Sequence, residues 1–304
     1  MKKLFVCAAL ALAAMASPAY ANLNVFACEP EWGALSSEIG GDKVDVYTAT
    51  VGTQDPHQVQ ARPSLIARAR TADISVCTGA ELEIGWLPLI IQQSGNPKIA
   101  PGAAGSFDAT AQVNLMERPA SLDRANGDIH AGGNPHIQTD PRMLIPVSRA
   151  LATRFQQLDP ANAALYRARQ ADWEHRWIAA IAGWQQRAAP LRGMPIAVQH
   201  HAWVYLENWL GMTEVVPLEP HPGVPPSSGY LAQVLQRLHQ TPARFVIRAA
   251  YEDDRPSDFI SEHAGVPAVV LPFTVGGDAQ STDLFKLYDD TITRLLAGLQ
   301  GAHS

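Results

Sequence analysis

The sequence predicts an α/β protein of two lobes, each with a parallel sheet flanked by helices, linked by one long backbone helix. Short runs of β-branched and apolar residues alternate with longer helical patterns, which is typical of βα units and parallel sheets. These runs form two groups, separated by one long helical segment. The predicted strands lie at residues 23–28, 44–47 and 74–78, then at 195–199, 245–248 and 268–271.

The first residues are typical of a secretory signal peptide. Lys2 and Lys3 precede an apolar run over residues 4–15, and small residues flank a cleavage point after Ala21. About a dozen apolar residues are too few to span a bilayer, which needs ~20, so an N-terminal membrane anchor is the weaker interpretation. We therefore expect export of the mature chain.

The linking helix is predicted from caps and periodicity. Asp159 and Pro160 give an N-cap followed by proline at the first turn, and apolar residues then recur at helical spacing through Trp173, Trp177 and Trp184. A helix of about 30 residues is roughly 45 Å long, enough to cross both lobes. A tryptophan stripe can stack on a ligand, but packing between lobes is the favoured interpretation. The predicted divisions are 1–21 (signal peptide), 22–157 (first lobe), 158–190 (linking helix) and 191–304 (second lobe).

Composition excludes some classes of function. The chain of 304 residues carries a formal net charge of -6, so we expect no nucleic-acid partner, because phosphate binding needs a concentrated basic face. Three cysteines are too few for a disulfide scaffold, and no Cys-x-x-Cys spacing suggests a thiolate metal site. Two polar loops, at residues 101–133 and 219–229, are candidates for the borders of a binding cleft.

Three histidines are placed where an α/β fold collects its ligands. His57 and His136 each follow an Asx-Pro turn, and His200 follows the strand predicted at 195–199. Ligands of open α/β folds bind beyond the carboxyl ends of strands. Each histidine alone is more often a surface or hydrogen-bonded residue, and their joint placement favours a metal site.

A carboxylate is expected to complete the site. Asp278 follows Gly276 and Gly277 after the last predicted strand, and a negative ligand offsets the charge of Zn²⁺ in a partly closed cleft. Gly-Gly-Asp is equally good chemistry for a solvent-exposed turn. Asp283 and water remain the alternatives to Asp278 as the fourth ligand.

Several motifs then occur in the order and at the separations of a known family. The chain resembles the cluster A-I (cluster 9) solute-binding proteins, of the zinc-binding type, which deliver zinc or manganese to bacterial ABC importers. The matching segments are residues 39–42, 52–57, 72–83, 134–141, the helix opened at 159–160, and 200–205.

The resemblance implies a fold of two α/β lobes joined by a rigid helix, with metal held between them by His57, His136 and His200. It implies a binding protein in the periplasm rather than an enzyme, with an ABC transporter permease as partner. A periplasmic zinc metallochaperone is left open as a second partner, and we expect a monomer.

The chain departs from the family at three places. Relatives usually place their aspartate at the end of the last strand, where this chain has Leu271, and His201 occupies a position that is commonly Asp or Gly. The long His- and acid-rich insertion of many zinc-specific members is replaced by residues 121–133, with only His130. We expect His130, and His221 in the proline-rich loop, to face solvent; transient capture of metal by the loop that carries His130 is the alternative.

The donor set then predicts the metal. Three neutral imidazoles and one carboxylate suit zinc, whereas manganese prefers more oxygen donors; copper and nickel stay open, because they bind such ligands at least as tightly. A manganese-binding homologue, a secreted metallohydrolase and a surface adhesin are the alternative functions. The hydrolase lacks a His-Glu-x-x-His helix and an evident general base, with Glu207 and Glu219 the nearest acidic residues.

Export also bears on the two cysteines left in the mature chain. Cys28 and Cys77 end the first and third predicted strands, which the family's topology places side by side. The exported compartment is oxidising, so the resemblance implies a disulfide, with free buried thiols or thiolate ligands as the alternative.

Overall fold

The computed structural model describes residues 21–119, 127 and 130–301. The predicted signal peptide at 1–21 therefore lies almost wholly outside the described residues. Within them, no helix combines the length and apolar character that crossing a membrane requires.

The first lobe is a parallel sheet of four strands in the order β2-β1-β3-β4. Its strands are β1 (Leu23–Ala27), β2 (Val44–Thr48), β3 (Ile74–Cys77) and β4 (Ser106–Asp108). Its helices are α1 (Pro30–Gly40), α2 (Pro63–Thr71), α3 (Leu87–Ser94) and α4 (Leu144–Leu158). β3 is buried along its whole length, as expected of a parallel strand covered on both faces.

The second lobe repeats this arrangement, with strand order β6-β5-β7-β8. Its strands are β5 (Pro195–Val198), β6 (Thr213–Pro217), β7 (Val246–Ala249) and β8 (Ala268–Leu271). Its helices are α6 (Val204–Leu210), α7 (Ser228–Gln240), α8 (Arg255–Ala264) and α9 (Leu284–Gly301). The predicted fold class is confirmed, and the lobe boundaries stay predictions.

The linking helix α5 (Ala163–Arg187) has 25 residues and follows a short 3₁₀ turn, Pro160–Asn162. Asp159 was expected to cap this helix, but its carboxylate accepts hydrogen bonds from the Asn162 amide and the Tyr166 hydroxyl instead. The 3₁₀ turn is the reason, because it separates Asp159 from the first α-helical residue.

The tryptophans of α5 join the two lobes. Trp173 and Trp177 stack with ring centroids 4.8 Å apart, and Trp177 meets Phe285 and Tyr288 of α9 edge to face. These tryptophans are buried in a core that includes residues of both lobes. The interpretation as packing between lobes is therefore confirmed.

Cys28 and Cys77 form a disulfide with their Cα atoms 4.8 Å apart. β1 and β3 are hydrogen-bonded neighbours in the first sheet, so the residues at their carboxyl ends lie side by side. The disulfide that the resemblance implied is therefore confirmed.

Candidate metal centre

The site is built from three loops that the two sheets bring together. His57 lies between β2 and α2, His136 precedes α4, and His200 follows β5. One ring nitrogen from each of the three lies within 4.8 Å of the others. The ring centroids are 5.3 Å apart for His57 and His136 and 5.7 Å apart for His136 and His200. Residues far apart in sequence thus form one cluster between the lobes.

Two of the imidazoles are oriented by carboxylates. Asp55 accepts a hydrogen bond of 2.9 Å from Nδ1 of His57, and Glu219 accepts one of 2.8 Å from Nδ1 of His200. In the neutral form of each ring, a proton held on Nδ1 by the carboxylate leaves the lone pair on Nε2. Nε2 of His57 is buried and has no hydrogen-bond partner in the described structure. This carboxylate–histidine arrangement is typical of metal ligands.

His136 is the most deeply buried of the three. It packs edge to face against Phe273, with ring centroids 5.3 Å apart, and its Nδ1 has no partner among the described residues. Burial, followed by the neighbouring rings of His57 and His200, lowers the pKa of His136 well below its usual value. The ring is therefore neutral, which is the form that binds a metal.

His130 lies closer to the cluster than the sequence suggested. It is half-buried, and its ring centroid is 5.5 Å from that of His57 and 6.3 Å from that of His136. Burial, with the rings of His57 and His200, lowers its pKa to about 4. A cavity of about 310 Å³ beside the cluster is lined by His130, His136 and His200, so the expectation that His130 faces solvent is wrong. His221 also lines this cavity and is exposed.

The structure does not bring Asp278 to the histidines. Its carboxylate accepts hydrogen bonds of 2.8 Å from the backbone amides of Gln280 and Ser281, and it pairs with Arg294 at 2.6 Å. Asp283 accepts from the backbone amide of Lys286, in the first turn of α9. Among the described residues, the histidine group within 4.8 Å includes neither aspartate. The turn interpretation of Gly-Gly-Asp is the one that the geometry supports.

Four carboxylates lie near the site in roles that were not predicted from the sequence. Glu219 was considered only as a possible general base, and Asp55 only as part of a turn. Glu117 and Glu214 both pair with His201, at 2.9 and 2.8 Å. These hydrogen bonds raise the pKa of His201 to about 10. The Asp-x-His spacing of Asp55 and His57 was the one local signal available for an orienting carboxylate.

Comparison with known proteins identifies the family. A family model described as ZnuA, zinc-uptake complex component A, periplasmic, matches residues 25–298. The chain belongs to the ZnuA family. It is thus a periplasmic metal-binding component of an ABC importer, and the prediction of a binding protein rather than an enzyme is confirmed.

Individual relatives include proteins for both metals. The high-affinity zinc uptake system protein ZnuA of Yersinia pestis is 24% identical over 244 residues, covering 76% of this chain and 73% of the relative. The manganese ABC transporter substrate-binding lipoprotein PsaA of Streptococcus pneumoniae is 20% identical over 258 residues, covering 83% and 80%. Membership of the family therefore does not distinguish zinc from manganese as the metal.

Solved structures share the fold. A zinc-bound ZnuA deletion mutant has a TM-score of 0.74 and 19% identity, covering 90% of this chain and 96% of its own. The binding protein FpvC of Pseudomonas aeruginosa, in complex with Mn²⁺, has a TM-score of 0.76 and 21% identity, covering 92% and 98%. Both likenesses support the two-lobed architecture alone.

Proposed function

We propose that this protein captures Zn²⁺ in the periplasm and delivers it to the permease of an ABC importer. The observation that carries the proposal is the convergence of three imidazoles, with donor atoms within 4.8 Å of one another. Zinc accepts tetrahedral nitrogen and oxygen ligands, whereas manganese prefers oxygen donors and more of them. A site whose convergent donors are nitrogens therefore favours zinc.

The ligands in this proposal are His57, His136 and His200, and His130 is the candidate for the fourth position, although it lies outside the group of donors within 4.8 Å of one another. His130 is half-buried, its low pKa keeps it neutral, and its ring stands as far from His57 as the other two do. Asp278, the ligand expected from the sequence, has its oxygens occupied by Ser281 and Arg294. Water is the alternative occupant of the fourth position.

Metal analysis of protein purified without chelator tests the choice of metal. We expect one zinc per chain and, in competition, tighter binding of zinc than of manganese. Tighter binding of manganese would refute the choice of metal. Growth of a deletion strain in zinc-poor medium tests delivery, and we expect the wild-type gene but not His136→Ala to restore growth.

Ligand variants test the donor set. His136→Ala and His200→Ala should each weaken zinc binding by orders of magnitude, because each removes both a bond and the geometry of the shell. His130→Ala should weaken it about tenfold, near the small end of the effects of altering a metal shell. Asp278→Ala is the matched comparison and should leave affinity within about threefold, since electrostatic effects outside the shell are small. An unchanged isotherm for His200→Ala contradicts the site, and a large loss for Asp278→Ala restores that residue as the ligand.

The remaining expectations about partners and export stay predictions. A periplasmic metallochaperone, a monomeric state and cleavage after Ala21 belong to this proposal. Mass spectrometry of the exported protein measures the cleavage site directly.

A further inference from the structure

A cluster of charged side chains lies beside the proposed zinc site and supplies none of its ligands. Nδ1 of His201 is 2.8 Å from a carboxylate oxygen of Glu214, and Nε2 is 2.9 and 3.0 Å from the two oxygens of Glu117. A neutral imidazole has only one N–H, so donation to both carboxylates requires the imidazolium form. His201 thus bridges the two carboxylates through both of its ring nitrogens.

The two carboxylates come from different parts of the fold. Glu214 lies on β6, in the same lobe as His201, whereas Glu117 lies in the segment after β4 of the first lobe. The pair of Glu117 and His201 therefore connects the lobes next to the histidine cluster, and the pair of Glu214 and His201 does not.

Asn134 joins this ion pair to the metal site. Its side-chain amide donates to Glu117 at 3.2 Å and to the carbonyl of His201 at 3.0 Å. Its side-chain oxygen accepts from the backbone amide of His136 at 3.1 Å, and its own carbonyl accepts from the Tyr205 hydroxyl at 2.8 Å. Asn134 is buried. Its contacts with His201 and Tyr205 of the second lobe therefore hold the backbone that leads into His136.

The Tyr205 hydroxyl closes the network on the side of Glu117. It accepts from the backbone amide of Met116 at 3.0 Å, one residue before Glu117. The amide of Asn134 in turn donates to the carbonyl of Met116 at 2.9 Å. Loss of the ion pair should therefore loosen the segments at Met116 and Asn134 together.

We infer that Glu117 and His201 are positioning residues, which hold His136 against His200 across the lobes and thereby slow the release of metal. This inference rests on the proposed function for its metal readout. It gives a role to His201, for which the sequence predicted none.

The test compares two matched variants, Glu117→Gln and Glu214→Gln. Each removes one negative charge from the same imidazolium, but only the first weakens the contact between lobes. We expect Glu117→Gln to speed release of zinc to a chelator about fivefold, the effect of a partly exposed ion pair, and Glu214→Gln to speed it at most about twofold. Equal acceleration by the two variants would show a general effect of charge near the metal and would overturn the inference.

A second measurement does not depend on metal. Hydrogen exchange of the metal-free protein should be faster at the amides of Met116 and Asn134 in Glu117→Gln, and close to the wild-type rate in Glu214→Gln. Exchange that is unchanged in Glu117→Gln overturns the inference even if release is faster. If the wild-type protein takes up no zinc, the proposed function fails, and the exchange rates still decide the positioning role.

Discussion

Removing the carboxylate behind His200 tests whether the site is preorganised. One oxygen of Glu219 accepts from Nδ1 of His200 and from the backbone amide of Gly223, both at 2.8 Å. Glutamine at this position keeps an acceptor for both donors and loses only the charge, whereas alanine leaves both donors without this partner. Changes of this kind typically cost 10–100-fold in metal affinity. We expect about tenfold weaker zinc binding for Glu219→Gln and about 100-fold for Glu219→Ala, or ~1.4 and ~2.8 kcal/mol.

Burial sets the order of these effects. The side chain of Glu219 is 15% exposed and that of Asp55 36%, so water screens the second carboxylate more. Asp55→Asn should therefore weaken binding less than Glu219→Gln does. The assay is competition with a zinc-chelating dye at one pH and ionic strength, with Glu262→Ala on the exposed side of α8 as the control. Affinity of Glu219→Ala within twofold of wild type would refute the argument that this carboxylate orients the ligand.

Two further predictions concern stability. Replacing both Cys28 and Cys77 by alanine opens a loop of about 50 residues and should lower the free energy of unfolding in urea by about 4 kcal/mol in the chain-entropy model; a loss below about 1 kcal/mol would contradict it. Burial raises the pKa of Glu31 to about 7, although the Thr274 hydroxyl donates to it and lowers the pKa. The folded protein therefore retains this proton at a pH where the unfolded chain, with a pKa near 4.5, has released it. The stability that this group contributes is complete below pH 4.5 and is lost as pH rises through 7. Between pH 5 and 8, the free energy of unfolding of metal-free Glu31→Gln should therefore fall less than that of the wild type, by on the order of 2–3 kcal/mol. Parallel curves for the two proteins would show that Glu31 does not titrate in this range.

Six of the eight strands in the described residues could be predicted from their runs of β-branched and apolar residues, including β2 and β8 at sheet edges. The strands that were missed, β4 and β6, lie at the other two edges. β4 has only three residues, and four of the five residues of β6 are half-buried, so neither has the continuous apolar pattern of a central strand.

The three histidines could be predicted because topology alone puts strand ends at one edge of a sheet. The position of His130 could not, since it follows no predicted strand and depends on tertiary contacts with His57 and His136. The role of His201 was equally hidden. Its partners Glu117 and Glu214 lie 84 and 13 residues away in sequence. Ion pairs between residues so far apart cannot be predicted from a local sequence pattern.

The structure does not bring Asp278 into the histidine group, and this bears on how the site carries charge. From the sequence, we expected that a cleft binding Zn²⁺ needs a carboxylate to offset desolvation and that this carboxylate is a ligand. Under the proposed function, two carboxylates outside the ligand shell would meet the same need. Asp55 and Glu219 accept hydrogen bonds from Nδ1 of His57 and His200, so each imidazole would pass negative charge toward a metal bound at Nε2. A carboxylate ligand is then unnecessary for charge balance, and Asp278 is free to close the turn before α9 with Ser281 and Arg294. If the proposed ligands are all nitrogens with these carboxylates behind them, the site also disfavours manganese, which gains most from direct oxygen ligands.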